Sequence, residues 1–327
     1  MNPLSSPVRT LAVLVGVVAL VYPAVTMTSL RLDRLSSGLV LIFAVLGVNL
    51  ITGRGGLISL GHGVFFAVGA FAMAKLIDIG FPVLFAGIGA TVIAGLFGVM
   101  LGLPALRVRG PFLALITFAI ALAFQPVARR LPNLTGGVAG LRADTSGFDP
   151  PEFLGIADHA HVWRYGWCIV VAGLWFLAMR NFNDSRIGRA LRATADNELA
   201  ASSFGVNVRV VRITALAVSG AVAGTGGALY AMVHPFLIQT EFGAFLSFSI
   251  YAAAIVGGVG SIGGAVVGVL VLLSVPTVSS TIGLGDNESI VLGAALVVIT
   301  FLAPNGLWGI FSSIERKFRR SERVVDI

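Results

Sequence analysis

Residues 180–212 read RNFNDSRIGRALRATADNELAASSFGVNVRVVR. The stretch holds six arginines (Arg180, Arg186, Arg189, Arg192, Arg209, Arg212) and three acids (Asp184, Asp196, Glu198), and it lies between two long apolar regions. It is too charged for lipid, while most of the chain around it is too apolar for water. It is also patterned to fold. From Ser185 to Phe204 the positions Ile187, Leu191, Ala195, Leu199 and Ser202/Ser203 recur at helical spacing, and Gly205 can end the helix. A short amphipathic helix held between membrane spans suggests a docking surface. A solvated loop that only satisfies topology would look the same by spacing alone.

The surrounding composition sets the class. Of 327 residues, 57% are hydrophobic and 11% charged, with a mean hydropathy of +0.95. A soluble domain carries roughly a quarter charged residues. Apolar runs mark residues 11–30, 35–51, 57–77, 81–103, 111–128, 163–179, 213–233, 245–256, 262–275 and 290–303. The expectation is an all-α polytopic membrane helix bundle, a single domain over residues 1–327 with about ten spans. Several runs fall short of the roughly 20 residues that cross hydrocarbon unaided, so eight or nine crossings are also open. The first run follows Arg9 and could pass for a signal peptide, but no small-x-small cleavage site follows it, so it reads as a retained span.

The basic residues set the orientation. The net charge of +7 comes with 20 arginines and only two lysines, Lys75 and Lys317. They sit in short loops between apolar runs, so the charge fits a cytoplasmic membrane face and not a nucleic-acid surface. With both termini inside, 15 of the 22 basic residues are cytoplasmic: Arg9, Arg54, Arg107, Arg109, the six of the central segment, and Arg316, Lys317, Arg319, Arg320 and Arg323. This makes 179–212 a cytoplasmic loop, 129–162 an outer loop rich in Gly, Pro and acids, and 304–327 a cytoplasmic tail.

A short internal match adds a possible repeat. GGLISLG at residues 55–61 and GGVGSIG at 257–263 share GGxxSxG, 202 residues apart. The same offset maps the run at 11–30 onto 213–232 and that at 81–103 onto 283–305. Counted this way the halves are parallel; they become inverted if one glycine segment fails to cross. Such repeats place a transport path at their interface, lined by broken helices.

The chemistry must then be sought inside the membrane. No run carries an interior Asp or Glu, which argues against an ion-coupled secondary transporter. Neither lysine sits in a GxxxxGK[ST] phosphate loop, so any ATPase that drives this chain is another polypeptide. An enzyme is poorly served. His159 and His161 could give two metal ligands with no third at useful spacing, and Cys168 has no activating neighbour. No metal and no bound cofactor are expected. The dense glycines Gly53, Gly55, Gly56, Gly61, Gly63 and Gly69 oppose a regular lipid-facing helix, at about 1 kcal/mol each against alanine, and favour close approach or unwinding. Ser59 and His62, three apart, would share a helix face. They read as a polar step beside a path, with Phe66, Gly55, Gly56, Gly257 and Gly258 around it, or else as a glycine-packed helix contact.

At this point the residues resemble a family. NLITGRGGLISLGHGVFFAVGAF (49–71), SRIGRALRATADNELAASSFGVNV (185–208), GALYA (227–231) and GGVGSIGGAVVG (257–268) are similar to segments of branched-chain amino acid ABC-importer permeases. The resemblance runs in order from about residue 35 to 310. The family also includes permeases for urea and short amides, and the motifs do not separate the solutes. The resemblance implies a subunit in a bacterial inner membrane, both termini cytoplasmic. It implies a second related permease, two ATPases that use the ATP, and an external solute-binding protein. Residues 179–212 become the coupling loop, with Arg186, Gly188, Arg189, Arg192, Glu198, Ala200, Ala201 and Gly205 as its candidate contacts. Many importers carry EAAxxxG there; here Leu199 stands at the glutamate position and Glu198 one place earlier.

Overall fold

The computed structural model describes residues 29–105, 112–144, 149–150, 160–234, 236–281, 283, 287–303 and 306–309. Most of the first apolar run, Arg9, Arg107, Arg109, His159 and the charged tail lie outside the described residues. Twelve helices are numbered here. They are α1 Ser29–Val48, continued by a π-helical turn Asn49–Arg54, then α2 His62–Asp78, α3 Val83–Ala105, α4 Phe112–Arg129 and the short α5 Pro132–Thr135. After them come α6 Ala160–Asp184, α7 Arg186–Asp196, α8 Glu198–Ser203, α9 Val208–Val233, α10 Ala244–Gly257, α11 Ile262–Thr281 and α12 Glu288–Leu302. Two short strands, β1 Leu141–Arg142 and β2 Phe236–Leu237, pair antiparallel.

Eight helices among the described residues are long and apolar enough to cross a membrane. The ten apolar runs thus become those eight, the 17-residue α2, and one run mostly outside the described residues.

Helix α9 is the axis of the bundle. Its face from Val222 to Leu229 is buried, although most of those side chains are small. A Cβ on Gly69 would strike Gly224 O, and one on Gly227 would strike Phe66 O. Backbones therefore touch directly, which suits helices that gain cohesion from close packing instead of from water exclusion. Around α9, α1 runs antiparallel: Ser37 meets His234, Val40 O faces Gly226, and Ser219 bonds Gly47.

Helices α2 and α10 do not start at a surface. They start inside, facing each other: Gly63 N–H donates to Ser247 Oγ at 3.1 Å, in the first turn of α10. Residues 55–61 lead in from one end of the bundle and residues 236–243 from the other. The order long helix, extended segment, interior helix start, long helix occurs twice, in α1–α3 and α9–α11, running in opposite directions. This corrects the parallel repeat expected from the 202-residue match. That match pairs the segment before α2 with the corner between α10 and α11, which are not equivalent places. The halves are inverted because the helices that correspond are α1 and α9, which lie antiparallel, and not the runs that the match aligns.

Candidate functional site

The charged central stretch folds as two short helices with a break at Asn197, where one continuous helix is also compatible with the spacing. Ser185 caps α7 by accepting from Gly188 N–H at 3.2 Å, and its hydroxyl donates to Phe182 O at 2.6 Å. Asn197, extended at φ −158°, ends α7 and caps α8 by accepting from Ala200 N–H at 3.0 Å. At Gly205, φ is +80°, and Val206 N–H donates back to Ala201 O, as a glycine-terminated helix end requires. Asn207 then caps α9.

The candidate contacts divide into two groups. Gly188 is buried against Phe182 O and Asn183 O, with no room for a Cβ. The Arg189 guanidinium donates to Asp184 O, and that of Arg192 to Asn183 O at 2.9 Å, so both cover carbonyls at the end of α6. Glu198 takes two bonds from Arg212, at 2.9 and 3.3 Å, and ties α8 to the start of α9. Ala201 is buried beneath α8. These groups hold the hairpin in shape. What faces outward is Arg186, Ala200, Ser202 and Ser203, with Leu199 80% and Phe204 90% exposed. Two large apolar side chains standing clear on a charged hairpin are the part least suited to water.

The inner candidates are enclosed. Ser59 and His62 have no exposure and Phe66 has 1%. His62 opens α2, and Ser59 lies before the helix, so they meet without sharing a helix face. The His62 ring has partners on both sides: Nε2 lies 2.7 Å from Ser219 Oγ and Nδ1 3.4 Å from Ser59 Oγ. Ser219 donates its single hydroxyl proton to Gly47 O at 2.8 Å. His62 therefore donates from Nε2, and Nδ1 accepts from Ser59. The His62 and Phe65 rings form a T-shaped pair with centroids 5.4 Å apart, and Phe66 and Tyr230 another at 5.5 Å. Gly257 and Gly258 end α10 on the hairpin side, well apart from His62.

Several partners carry no sequence signal. Ser219 sits in a run of small residues. Thr117 Oγ1 accepts from Leu60 N–H at 2.9 Å, and Asn49 brackets the corner between α10 and α11. At the opposite end Tyr230 donates to Glu241 at 3.0 Å, and His234 lies 2.8 Å from Ser37. His161 pairs with Asp33 at 2.9 Å, and no group of three potential metal ligands occurs among the described residues.

A family model described as branched-chain amino acid transport system / permease component matches residues 30–300. The high-affinity branched-chain amino acid transport system permease protein LivM of Escherichia coli K12 is 27% identical over 294 residues, covering 80% of this chain and 66% of that protein. LivH of the same strain is 28% identical over 287 residues, covering 81% and 89%. The autoinducer 2 import system permease protein LsrC of Salmonella paratyphi B is 34% identical over 135 residues, 40% of this chain and 36% of that one. The chain spans about two thirds of the length of LivM. No solved structure matches. With a family match that takes in every described helix from α1 to most of α12, this chain belongs to the branched-chain amino acid transport system permease component family.

Proposed function

We propose that this chain is one permease of an ATP-driven importer for branched-chain or other small amino acids in a bacterial inner membrane. It pairs with a second, related permease and receives solute from an external binding protein. Two separate ATPases drive the importer and one of them engages the α7–α8 hairpin, which makes the hairpin end cytoplasmic, along with both termini, and the β1–β2 end external. The observation that carries this reading is the exposure of Leu199 and Phe204 on a hairpin whose shape Gly188, Arg189, Arg192, Glu198 and Ala201 already hold. Burying each in a cleft of the ATPase would contribute about 1.5–3 kcal/mol. Ser59, His62 and Phe66 abut the solute route at the interior helix starts. Gly55 and Gly56 allow the broken backbone beside it, while Gly257 and Gly258 form the corner that ends α10 on the hairpin side.

The test uses the complex purified from its own membrane through a tag on this chain. Phe204→Asp and Leu199→Asp are expected to strip most of the ATPase from it. Full retention of the ATPase by both variants sinks the docking assignment.

A further inference from the structure

The hairpin's inner side rests on the glycine segment that leads into the bundle. Leu191, fully buried, places Cδ1 3.3 Å from the point where a Cβ on Gly55 would stand. The Ala195 Cβ lies 3.2 Å from the equivalent point on Gly56, whose φ of +63° already disfavours any side chain. Gly55 and Gly56 begin the strap, residues 55–61. Behind it, Gly53 sits directly against Gly260, and Asn49 donates to Ser261 O at 2.9 Å. Ahead, Leu60 N–H is held by Thr117, and the next residues are Gly61 and His62, the start of α2. The strap has seven residues and is held at both ends, by α7 and by Thr117, so a displacement of α7 reaches the start of α2 once its limited slack is taken up.

We infer that the contact of Leu191 and Ala195 with Gly55 and Gly56 is the mechanical link between the hairpin and the interior: α7 and the strap move as one body and reposition the start of α2. Gly56 and Ala195 are thus positioning residues for transport. They touch no solute, and their close backbone approach is what makes the link stiff. The inference rests on the reading of the hairpin as the ATPase dock.

Two variants test it in reconstituted vesicles loaded with ATP, with radiolabelled leucine as the solute. Ala195→Gly removes the side-chain contact with Gly56, and Ala193→Gly, on the same helix and exposed as Ala195 is, controls for the loss of helix propensity. Ala195→Gly is expected to at least halve leucine transported per ATP hydrolysed while the ATPase stays bound, and Ala193→Gly to leave that ratio unchanged. An unchanged ratio in Ala195→Gly overturns the link. Should both glycine variants lose ATPase, the pair Gly56→Cys/Ala195→Cys decides. The native Cys168 is buried and does not compete for the cross-link. The oxidised pair is expected to transport as fast as the reduced pair. Transport lost on oxidation and regained on reduction means the contact opens during the cycle, and the inference fails. ATPase retained by Phe204→Asp instead overturns the docking reading and leaves the contact itself unjudged.

Discussion

A histidine with no exposure inside an apolar bundle needs a partner at each ring nitrogen, and the strap and α9 supply them to His62 through Ser59 and Ser219. His62→Leu fills a similar space but leaves Ser59 without its acceptor. An unsatisfied buried hydroxyl costs about 1–3 kcal/mol. That is small against a bundle of this size, so the variant is expected to assemble with the ATPase. Leucine uptake is expected to fall, because the start of α2 loses its register against α9. Normal uptake would make His62 a packing residue only. The sequence pointed to His62 and Ser59 because polar groups in a membrane run need a reason. It could not point to Ser219, which is 157 residues away and resembles every other small residue along α9. Nor did it show that Ser59 precedes the helix. Spacing of three is the same number in a turn as in a helix, and the gap at residues 55–61 follows from contacts with Thr117 and α7 that no local pattern encodes.

Among the elements, the hairpin was the most legible. Ser185 and Gly205 are ordinary helix delimiters, and both act as such. The break at Asn197 was present as an N-cap residue type, yet the apolar positions on either side kept helical phase and masked it. What the phase could not reveal is that Leu191 is buried while Leu199, two turns later, is exposed, because the chain changes direction between them. The elbow between α6 and α7 gives a clean test. Gly188→Ala would press a methyl group onto Phe182 O and Asn183 O. Overpacking of this kind costs about 1–3 kcal/mol. A lower melting temperature of the purified permease in detergent is expected, with ATPase retention falling in step. An unchanged melting temperature would mean that the elbow yields freely.

For the molecule as a whole, the class could be read from apolar run lengths, and the orientation of its ends rests on arginine placement alone. Labelling checks that placement. Val138 is 80% exposed at the β1–β2 end, and Ser203 is exposed on the hairpin. Val138→Cys is expected to react with an impermeant maleimide in intact cells, and Ser203→Cys only after the membrane is opened. Equal reaction in intact cells would reverse or abolish the proposed orientation. The repeat was misread for a definite reason. A glycine-rich match records where backbones come close, and backbones come close both before α2 and at the corner of α10 and α11, for unrelated geometric purposes.

The π-helical turn at Asn49–Arg54 gives the strap something a plain helix end would lack. A π turn stores more chain per rotation than an α turn. Rewinding it to α geometry would release about one residue, which is roughly 3.3 Å of extended backbone. The strap would thereby lengthen without stretching a bond or surrendering its hold on Thr117. Slack of that size is more than enough for the small helix translations, about 1–2 Å, by which packed interfaces switch between states. Deleting Thr52 would take up this reserve in advance. The shortened chain is expected to fold and to bind its ATPase, yet to lose leucine uptake in reconstituted vesicles; normal uptake would mean that the turn holds no working reserve.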